Sequence, residues 1–120
     1  MRELDDLLKF VVTNVDGALF AALGSVDGLL VEQYPADGQD LSAYTAEITN
    51  VLNALSRLNA TGFEGGTFKE VMATGERLIS FTRRLDDELF LMIVMNPSGN
   101  LGKARLYSDQ VAKQLLEVFA

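Results

Sequence analysis

Two short segments carry residue types that could do chemistry. Residues 99–104 read Gly-Asn-Leu-Gly-Lys-Ala, and a glycine-rich loop ending in lysine can cradle phosphate groups. The segment lacks the full spacing and the Ser or Thr that follows the lysine, so we interpret it as a helix-entry loop. Residues 86–88 are consecutive acids. Three neighbours in one tight turn cannot all converge on a cation, so a solvated hairpin turn explains them better.

Three arginines, Arg77, Arg83 and Arg84, fall on one predicted strand. One of them could act as an arginine finger, which stabilises charge during nucleotide hydrolysis in a partner. Strand arginines also pair with neighbouring side chains or discourage aggregation at a sheet edge. We favour this second interpretation.

The composition removes most catalytic chemistry. The chain has no cysteine and no histidine, which excludes disulfides, thiolate nucleophiles, Cys/His zinc sites and imidazole acid–base catalysis. No serine has a histidine partner for a catalytic triad. We therefore expect no enzyme and no bound cofactor; at most the protein activates a partner enzyme.

Charge and hydropathy limit the partners and the compartment. The net charge is −7, with nine acids and two bases in residues 1–56 and eight of each in residues 57–120. A nucleic-acid binder needs a basic face, so we expect no nucleic-acid partner. No apolar run reaches the roughly 20 residues of a membrane span, and the acidic start is unlike a signal peptide. A cytoplasmic location follows as the expectation.

Hydrophobic periodicity predicts one domain over residues 1–120. A helix over about 2–14 is followed by strands at 18–23 and 29–34, a helix at 41–58, strands at 68–73, 77–85 and 89–96, and a last helix capped by Asn100. The last strand is apolar throughout, so it is predicted to be central. The strand at 77–85 alternates and is predicted to have one exposed or partner-facing side. The fold class is α+β, with a five-stranded antiparallel sheet sandwiched by helices in the order α-β-β-α-β-β-β-α.

The helix at 41–58 has only two charged residues, Glu47 and Arg57. One stripe follows the spacing of a core-facing helix: Leu41, Tyr44, Ile48, Val51, Leu52, Leu55 and Leu58. The opposite stripe is mostly small and uncharged: Ala43, Ala46, Asn50, Ala54 and Arg57. Small residues let another backbone come close, so this helix is predicted to touch protein on both sides. An exposed helix rich in alanine, the best helix former, is the alternative.

Several strings in order resemble the Roadblock family, which includes dynein light chains and bacterial MglB-like proteins. They are residues 17–31 with their Asp-Gly turn, Phe-Glu-Gly-Gly at 63–66, and the Asn-Leu-Gly opening of the last helix at 100–106. The resemblance covers about residues 2–119. It implies a fold of the Roadblock/profilin type, with the middle helix on one face of the sheet and the terminal helices on the other.

The resemblance also implies a dimer in which the middle helices and third strands of two protomers pair into one continuous sheet. The expected interface then comprises Ala43, Ala46, Glu47, Asn50, Ala54 and Arg57 on the helix, and Phe68, Glu70 and Met72 on the strand. Many bacterial members of the family work beside a Ras-like small GTPase, and MglB-like proteins stimulate its GTP hydrolysis by repositioning the GTPase's own groups; the resemblance thus implies such a partner here.

Three functions remain open. The first is a homodimer that binds a Ras-like small GTPase and modulates its activity. The second is a homodimeric scaffold of a motor or signalling complex, without effect on hydrolysis. The third is a small-ligand sensing domain, which needs polar groups converging in an apolar pocket; the predicted core strands at 18–23 and 89–95 offer none.

Overall fold

The computed structural model describes residues 3–118. In chain order it contains helix α1 (Leu4–Asn14), strands β1 (Ala18–Ser25) and β2 (Leu30–Tyr34), helix α2 (Ser42–Ser56) continued by a 3-10 turn (Arg57–Thr61), strands β3 (Glu70–Thr74), β4 (Ile79–Arg84) and β5 (Leu89–Met95), and helix α3 (Leu101–Val118). This order confirms the predicted one. The predicted start of the first helix at residue 2, and Phe119 at the end of the last, lie outside the described residues.

The five strands form one antiparallel sheet in the order β2-β1-β5-β4-β3. All seven residues of β5 are buried, which confirms that the apolar last strand is central. An uninterrupted apolar run suits a strand covered on both faces. β2 and β3 are the two edges.

Each face of the sheet carries its own apolar core, so the predicted layering is confirmed. On one face α1 and α3 cover a core built on Leu7, Leu8, Phe81, Ile93, Val111 and Leu115, among others. Phe10 packs edge-to-face on Tyr107, with ring centroids 5.6 Å apart. On the other face α2 covers a smaller core of Ala22, Leu41, Leu52, Phe90 and Met92.

Glycine sets how closely α2 approaches the sheet. A Cβ added to Gly24 would lie 2.8 Å from both the Thr45 methyl group and the Phe90 ring, closer than packed atoms tolerate. Gly24 therefore lets the α2 backbone sit directly on β1. The hydroxyl group of Thr49 donates to the C=O of Ser25 at 3.3 Å, so α2 also has a polar link to the end of this strand.

The loops confirm one predicted helix cap and one predicted turn. The N–H of Lys103 donates to the Asn100 side chain at 3.0 Å, so Asn100 does cap α3. In the β4–β5 turn Asp86 accepts from the N–H groups of Glu88 and Leu89, both at 2.8 Å. This acid is thus held by turn hydrogen bonds.

Three predicted features were wrong in detail. β3 begins at Glu70, two residues later than predicted, because the preceding loop is longer; Phe68 therefore lies before the strand. β4 is shorter than predicted at both ends. Its polar side does not face solvent: Thr82 is 1% exposed, and Ser80 shares a hydrogen bond with Tyr44, because α2 lies over this face.

Candidate dimer interface

The outer face of α2 is defined here by the six positions predicted from the sequence: Ala43, Ala46, Glu47, Asn50, Ala54 and Arg57. Five of them are exposed, and Ala46 is half-buried. Ala46 sits next to Gly28 of the β1–β2 turn, whose added Cβ would lie 3.9 Å from the Ala46 Cα atom. The outer face is therefore accessible in the single chain, with Ala46 at its border.

The inward side of α2 differs from the predicted apolar stripe. The buried residues within the helix are Thr45, Thr49 and Leu52. The threonine hydroxyls donate to carbonyls one turn earlier, Thr45 to Leu41 at 2.8 Å and Thr49 to Thr45 at 3.0 Å. Both hydroxyl groups are thus satisfied within the helix, and burying the threonines leaves no unpaired donor.

α2 is thus rotated about its axis relative to the predicted orientation, and two predicted core residues point outward. Val51 and Leu58 were expected to face the sheet, and each is 41% exposed. Both therefore add apolar surface to the outer side of α2. The sequence did contain a signal for the inward side. Leu41, Thr45, Thr49 and Leu52 are spaced by four, four and three residues, which places them on one face of a helix.

Strand β3 presents an open edge. The N–H of Arg84 donates to the C=O of Lys69 at 2.8 Å, and along the same ladder Val71 lies opposite Thr82. Alternate residues of an antiparallel pair exchange hydrogen bonds. Val71 therefore bonds to β4, whereas Met72 directs its N–H and C=O away from β4. Within residues 3–118 no strand lies on that side of β3.

The side chains of β3 suit pairing with another strand. Met72 is 45% exposed, and the strand contains neither proline nor lysine, residues that commonly protect edges. Glu70 is the one charged residue of the strand, and it accepts a hydrogen bond from Arg105 of α3 at 2.8 Å. Its charge is thereby paired inside the chain.

The opposite edge strand, β2, is followed by a segment tied to Gln33. The Gln33 side chain donates to the carbonyls of Pro35 and Gln39, at 3.0 and 2.8 Å, and accepts from the N–H of Leu41 at 3.0 Å. These bonds hold residues 35–41 against the Gln33 side chain. Of the two edge strands, β3 is the one that was predicted from the sequence to pair with a second chain.

The loop between α2 and β3 is closed by Asn59. This side chain donates to the C=O of Gly66 and accepts from the N–H of Gly65, both at 3.1 Å. Phe63 lies in this loop and is 77% exposed, whereas Phe68 is half-buried. Of the nine predicted interface positions, Phe68 therefore contributes little free surface, and Phe63 is an exposed aromatic residue that the prediction missed.

The predicted strand arginines do not form one cluster. Arg83 forms an ion pair with Asp109 of α3, while Arg77 is exposed ahead of β4. Arg83 and Arg84 line a cleft of about 670 Å³ at the end of β3 and β4, and the Nε atoms of both are buried. Acids lie in the same cleft, namely Glu70, Asp86, Asp87 and Asp109. The guanidinium group of Arg83 is therefore engaged within the chain, and Arg84 shares its cleft with acidic side chains.

The remaining candidate chemistry has structural explanations. Lys103, the lysine of the glycine-containing segment, forms a salt bridge with Asp16 at 3.2 Å. Among the described residues no group of three acidic, histidine or cysteine side chains could hold a metal ion. Within residues 3–118, no helix has both the length and the apolar character to cross a membrane.

Two titratable groups at α2 have shifted pKa values. Burial raises the pKa of the Tyr44 phenol, and its hydrogen bond with Ser80 acts in the opposite direction. At the start of the helix, hydrogen bonds from the hydroxyl group and N–H of Ser42 lower the pKa of Asp40. The first shift reflects the helix's attachment to the sheet, and the second reflects its N-terminal turn.

Comparison with known proteins identifies the class. The Roadblock/LC7 domain family matches residues 4–95, and the chain belongs to this family. The family is generally non-enzymatic, and the chain is a regulatory module of the Roadblock type. No curated protein sequence matches the chain.

Solved structures share the fold. A Roadblock/LC7 domain from Streptomyces avermitilis aligns with a TM-score of 0.85 at 19% identity, covering 98% of each chain. Myxococcus xanthus MglB aligns with a TM-score of 0.82 at 14% identity, also covering 98% of each chain. MglC from Myxococcus xanthus is 29% identical, with a TM-score of 0.61, and the match covers 91% of this chain and 92% of that one.

Proposed function

We propose that this chain forms a homodimer through the outer face of α2 and the edge of β3, and that the dimer binds a Ras-like small GTPase and modulates its activity. The observation that carries the dimer is the open edge of β3, flanked by exposed apolar side chains of Val51, Leu58 and Met72. Unpaired strand edges beside apolar surface are sites for adding another strand. Two copies of β3 would extend the sheet across the dimer.

The GTPase partner is inferred from the family and from the likeness to MglB and MglC. The proposed role needs no catalytic residue from this chain. Arg83 is held by Asp109, and Arg84 lines the same cleft among acidic side chains. The dimer would therefore act by repositioning groups of the GTPase itself. The proposed complex is cytoplasmic.

The first experiment is affinity capture with this protein as bait, from lysate of its own source organism. Excess non-hydrolysable GTP analogue is present in one arm and GDP in the other. Enrichment of a small GTPase, identified by mass spectrometry, only with the analogue supports the regulator. The purified pair then enters a GTP hydrolysis assay with and without this protein.

The same experiment separates the alternatives. Recovery of non-GTPase partners that does not depend on nucleotide favours a dimeric scaffold. Binding of the GTPase without a change in hydrolysis would restrict the function to a passive platform. A protein that is monomeric by light scattering at working concentrations contradicts the dimer itself.

A further inference from the structure

The apolar surface of α2 is wider than the part that the single chain buries. Five apolar residues follow one another at intervals of four, three, four and three residues, and we call them the α2 seam: Tyr44, Ile48, Val51, Leu55 and Leu58. This repeat is the one that forms the contact between paired helices. Arg57 keeps helical backbone angles, φ −71° and ψ −15°, so Leu58 continues the line. Val51 and Leu58 are each 41% exposed, and the rest of the seam is half-buried.

The seam lies on the flank of α2 that is directed towards β3. Tyr44 shares a hydrogen bond with Ser80 of β4, the strand next to the open edge. Tyr44 and Ile48 pack on the smaller core, as does Val71 of β3. Residues three or four apart lie on one side of a helix, so Val51 continues this flank. The exposed part of the seam is therefore on the side of α2 where the sheet ends in an open strand.

The outer face of α2 borders the seam along one side only. Ala46 sits next to Gly28 of the β1–β2 turn, on the flank away from β3. Glu47 and Ala54 each lie four residues before an exposed residue of the seam and are themselves exposed. They are therefore the positions of the outer face that lie beside the seam.

Two-fold symmetry places the seams of two copies opposite each other. If β3 of a second copy continues the sheet and both α2 helices lie on the same face, the axis is normal to the sheet. The two helices are then antiparallel and side by side, and each turns its β3 flank towards the other, as in any isologous contact. Val51 is the middle position of the seam, with Tyr44 and Leu58 seven residues before and after it. Reversing the direction of the helix therefore maps the seam onto itself.

We propose that the α2 seam is the helix contact of the homodimer, with Val51 of one protomer against the partner's Val51 beside the two-fold axis. Leu58 of each protomer lies against the first turns of the other α2, and Glu47 and Ala54 lie at the rim. The inference rests on the proposed homodimer and names the part of the α2 surface that it buries. Removing the exposed apolar side chains from water is the driving force for this contact.

Engineered cysteines test the position of the axis. The chain has no cysteine, so a single cysteine in the full chain can form a disulfide only with a second copy. A disulfide requires Cα atoms within about 7 Å of each other, and Val51→Cys meets this condition only beside the axis. The matched control is Asn50→Cys, which is exposed on the neighbouring position and outside the seam. Under mild oxidation Val51→Cys is expected to form linked dimers at least about tenfold faster than Asn50→Cys, by non-reducing electrophoresis.

Charge insertion tests the contact without a covalent bond. Val51→Asp and Leu58→Asp place a carboxylate within the seam, and Asn50→Asp places the same group outside it. The dissociation constant of the dimer is measured by analytical ultracentrifugation. The two seam variants are expected to raise it at least about tenfold, because a desolvated unpaired charge is costly, and Asn50→Asp is expected to stay within about threefold of wild type. Val51 and Leu58 are exposed in the single chain, so folding is expected to persist, as checked by circular dichroism.

The failures are distinguishable. A wild-type protein that is monomeric at working concentrations removes the proposed homodimer and the seam contact with it. A wild-type dimer in which Val51→Asp matches Asn50→Asp, or in which Val51→Cys is linked no faster than Asn50→Cys, overturns the seam contact and leaves the homodimer standing. If an aspartate variant does not fold, the cysteine comparison decides alone, because cysteine is close to valine in size.

Discussion

The hydroxyl groups of Tyr44 on α2 and Ser80 on β4 share a hydrogen bond. This bond crosses from the helix to a strand next to the open edge, and with the Thr49–Ser25 hydrogen bond it adds a polar link to the apolar contacts between α2 and the sheet. It fixes the side of α2 that faces β4. The orientation of the outer face of α2 therefore depends on a polar contact as well as on the core beneath it.

Removing this bond is expected to loosen α2. Tyr44→Phe leaves the half-buried Ser80 hydroxyl without its partner, and we expect a loss of about 1–2 kcal/mol in the free energy of unfolding, measured by urea denaturation. Adding Ser80→Ala to Tyr44→Phe removes the unpaired group and is expected to recover part of the loss. Equal stability of wild type and Tyr44→Phe would show that the bond contributes nothing.

The raised pKa of Tyr44 has a consequence at high pH. The folded state favours the neutral phenol, so this group leaves stability unaffected below its ordinary pKa of 10.0. Stability is lost as pH rises from that value through the folded pKa, because the unfolded chain releases the proton first. Tyr44→Phe is expected to lose less stability than wild type between pH 9 and about pH 11, measured by denaturation at each pH. Parallel curves of stability against pH for the two proteins would argue against this role of Tyr44.

A charge on the outer face of α2 is expected to prevent dimerisation. Ala54 is exposed and belongs to the outer face of α2, so Ala54→Glu places a carboxylate where the proposed interface is small and uncharged. We expect a monomer by light scattering, with unchanged circular dichroism. Ala36→Glu, an exposed alanine beside β2, is the matched control and is expected to remain dimeric. If both variants behave alike, α2 is not the contact.

The open edge of β3 is tested through its backbone. Because the N–H of Met72 points away from β4, Met72→Pro removes a donor from the free edge without removing a bond of the β3–β4 ladder. We expect this variant to fold and to dimerise at least about tenfold more weakly, by sedimentation. Met72→Ala keeps the N–H and is expected to dimerise more strongly than Met72→Pro. A folded Met72→Pro dimer of wild-type affinity would show that β3 does not pair.

Replacing Arg83 and Arg84 by alanine is expected to leave stimulation of GTP hydrolysis within about tenfold of wild type. Removal of a true arginine finger costs about a thousandfold or more, so the two roles differ clearly in a single-turnover assay. Asp109, the partner of Arg83, is well exposed, and water can solvate it in the variant. A hundredfold loss with intact folding would restore the finger interpretation.

The sequence predicts this fold well where local pattern and burial agree. The apolar run of β5 indicated a central strand, and Asn100 indicated the start of α3. The prediction from sequence failed where polar residues are buried. Thr45 and Thr49 resemble outward-facing positions because they are polar. Their hydroxyl groups nevertheless bond within the helix, and the methyl group of Thr45 packs on Gly24. Hydrophobic periodicity also does not reveal the loop before β3, which Asn59 closes through Gly65 and Gly66.

The candidate interface was predictable only in part. The small, nearly uncharged face of α2 is visible in the residue spacing. The edge position of β3 is a property of strand order, which depends on pairing between distant segments, and here the family resemblance supplied it. The outward positions of Val51 and Leu58 follow from the rotation of α2 and required the structure.

The Asn59 hydrogen bonds close residues 59–66 into a loop in the connection between α2 and β3. The two parts of the proposed contact surface are therefore joined in the chain by a loop that one side chain closes. A partner that contacts both α2 and β3 would therefore be sensitive to the length of this loop. Lengthening it by a single residue would alter the fit of the whole surface while leaving every residue on it unchanged.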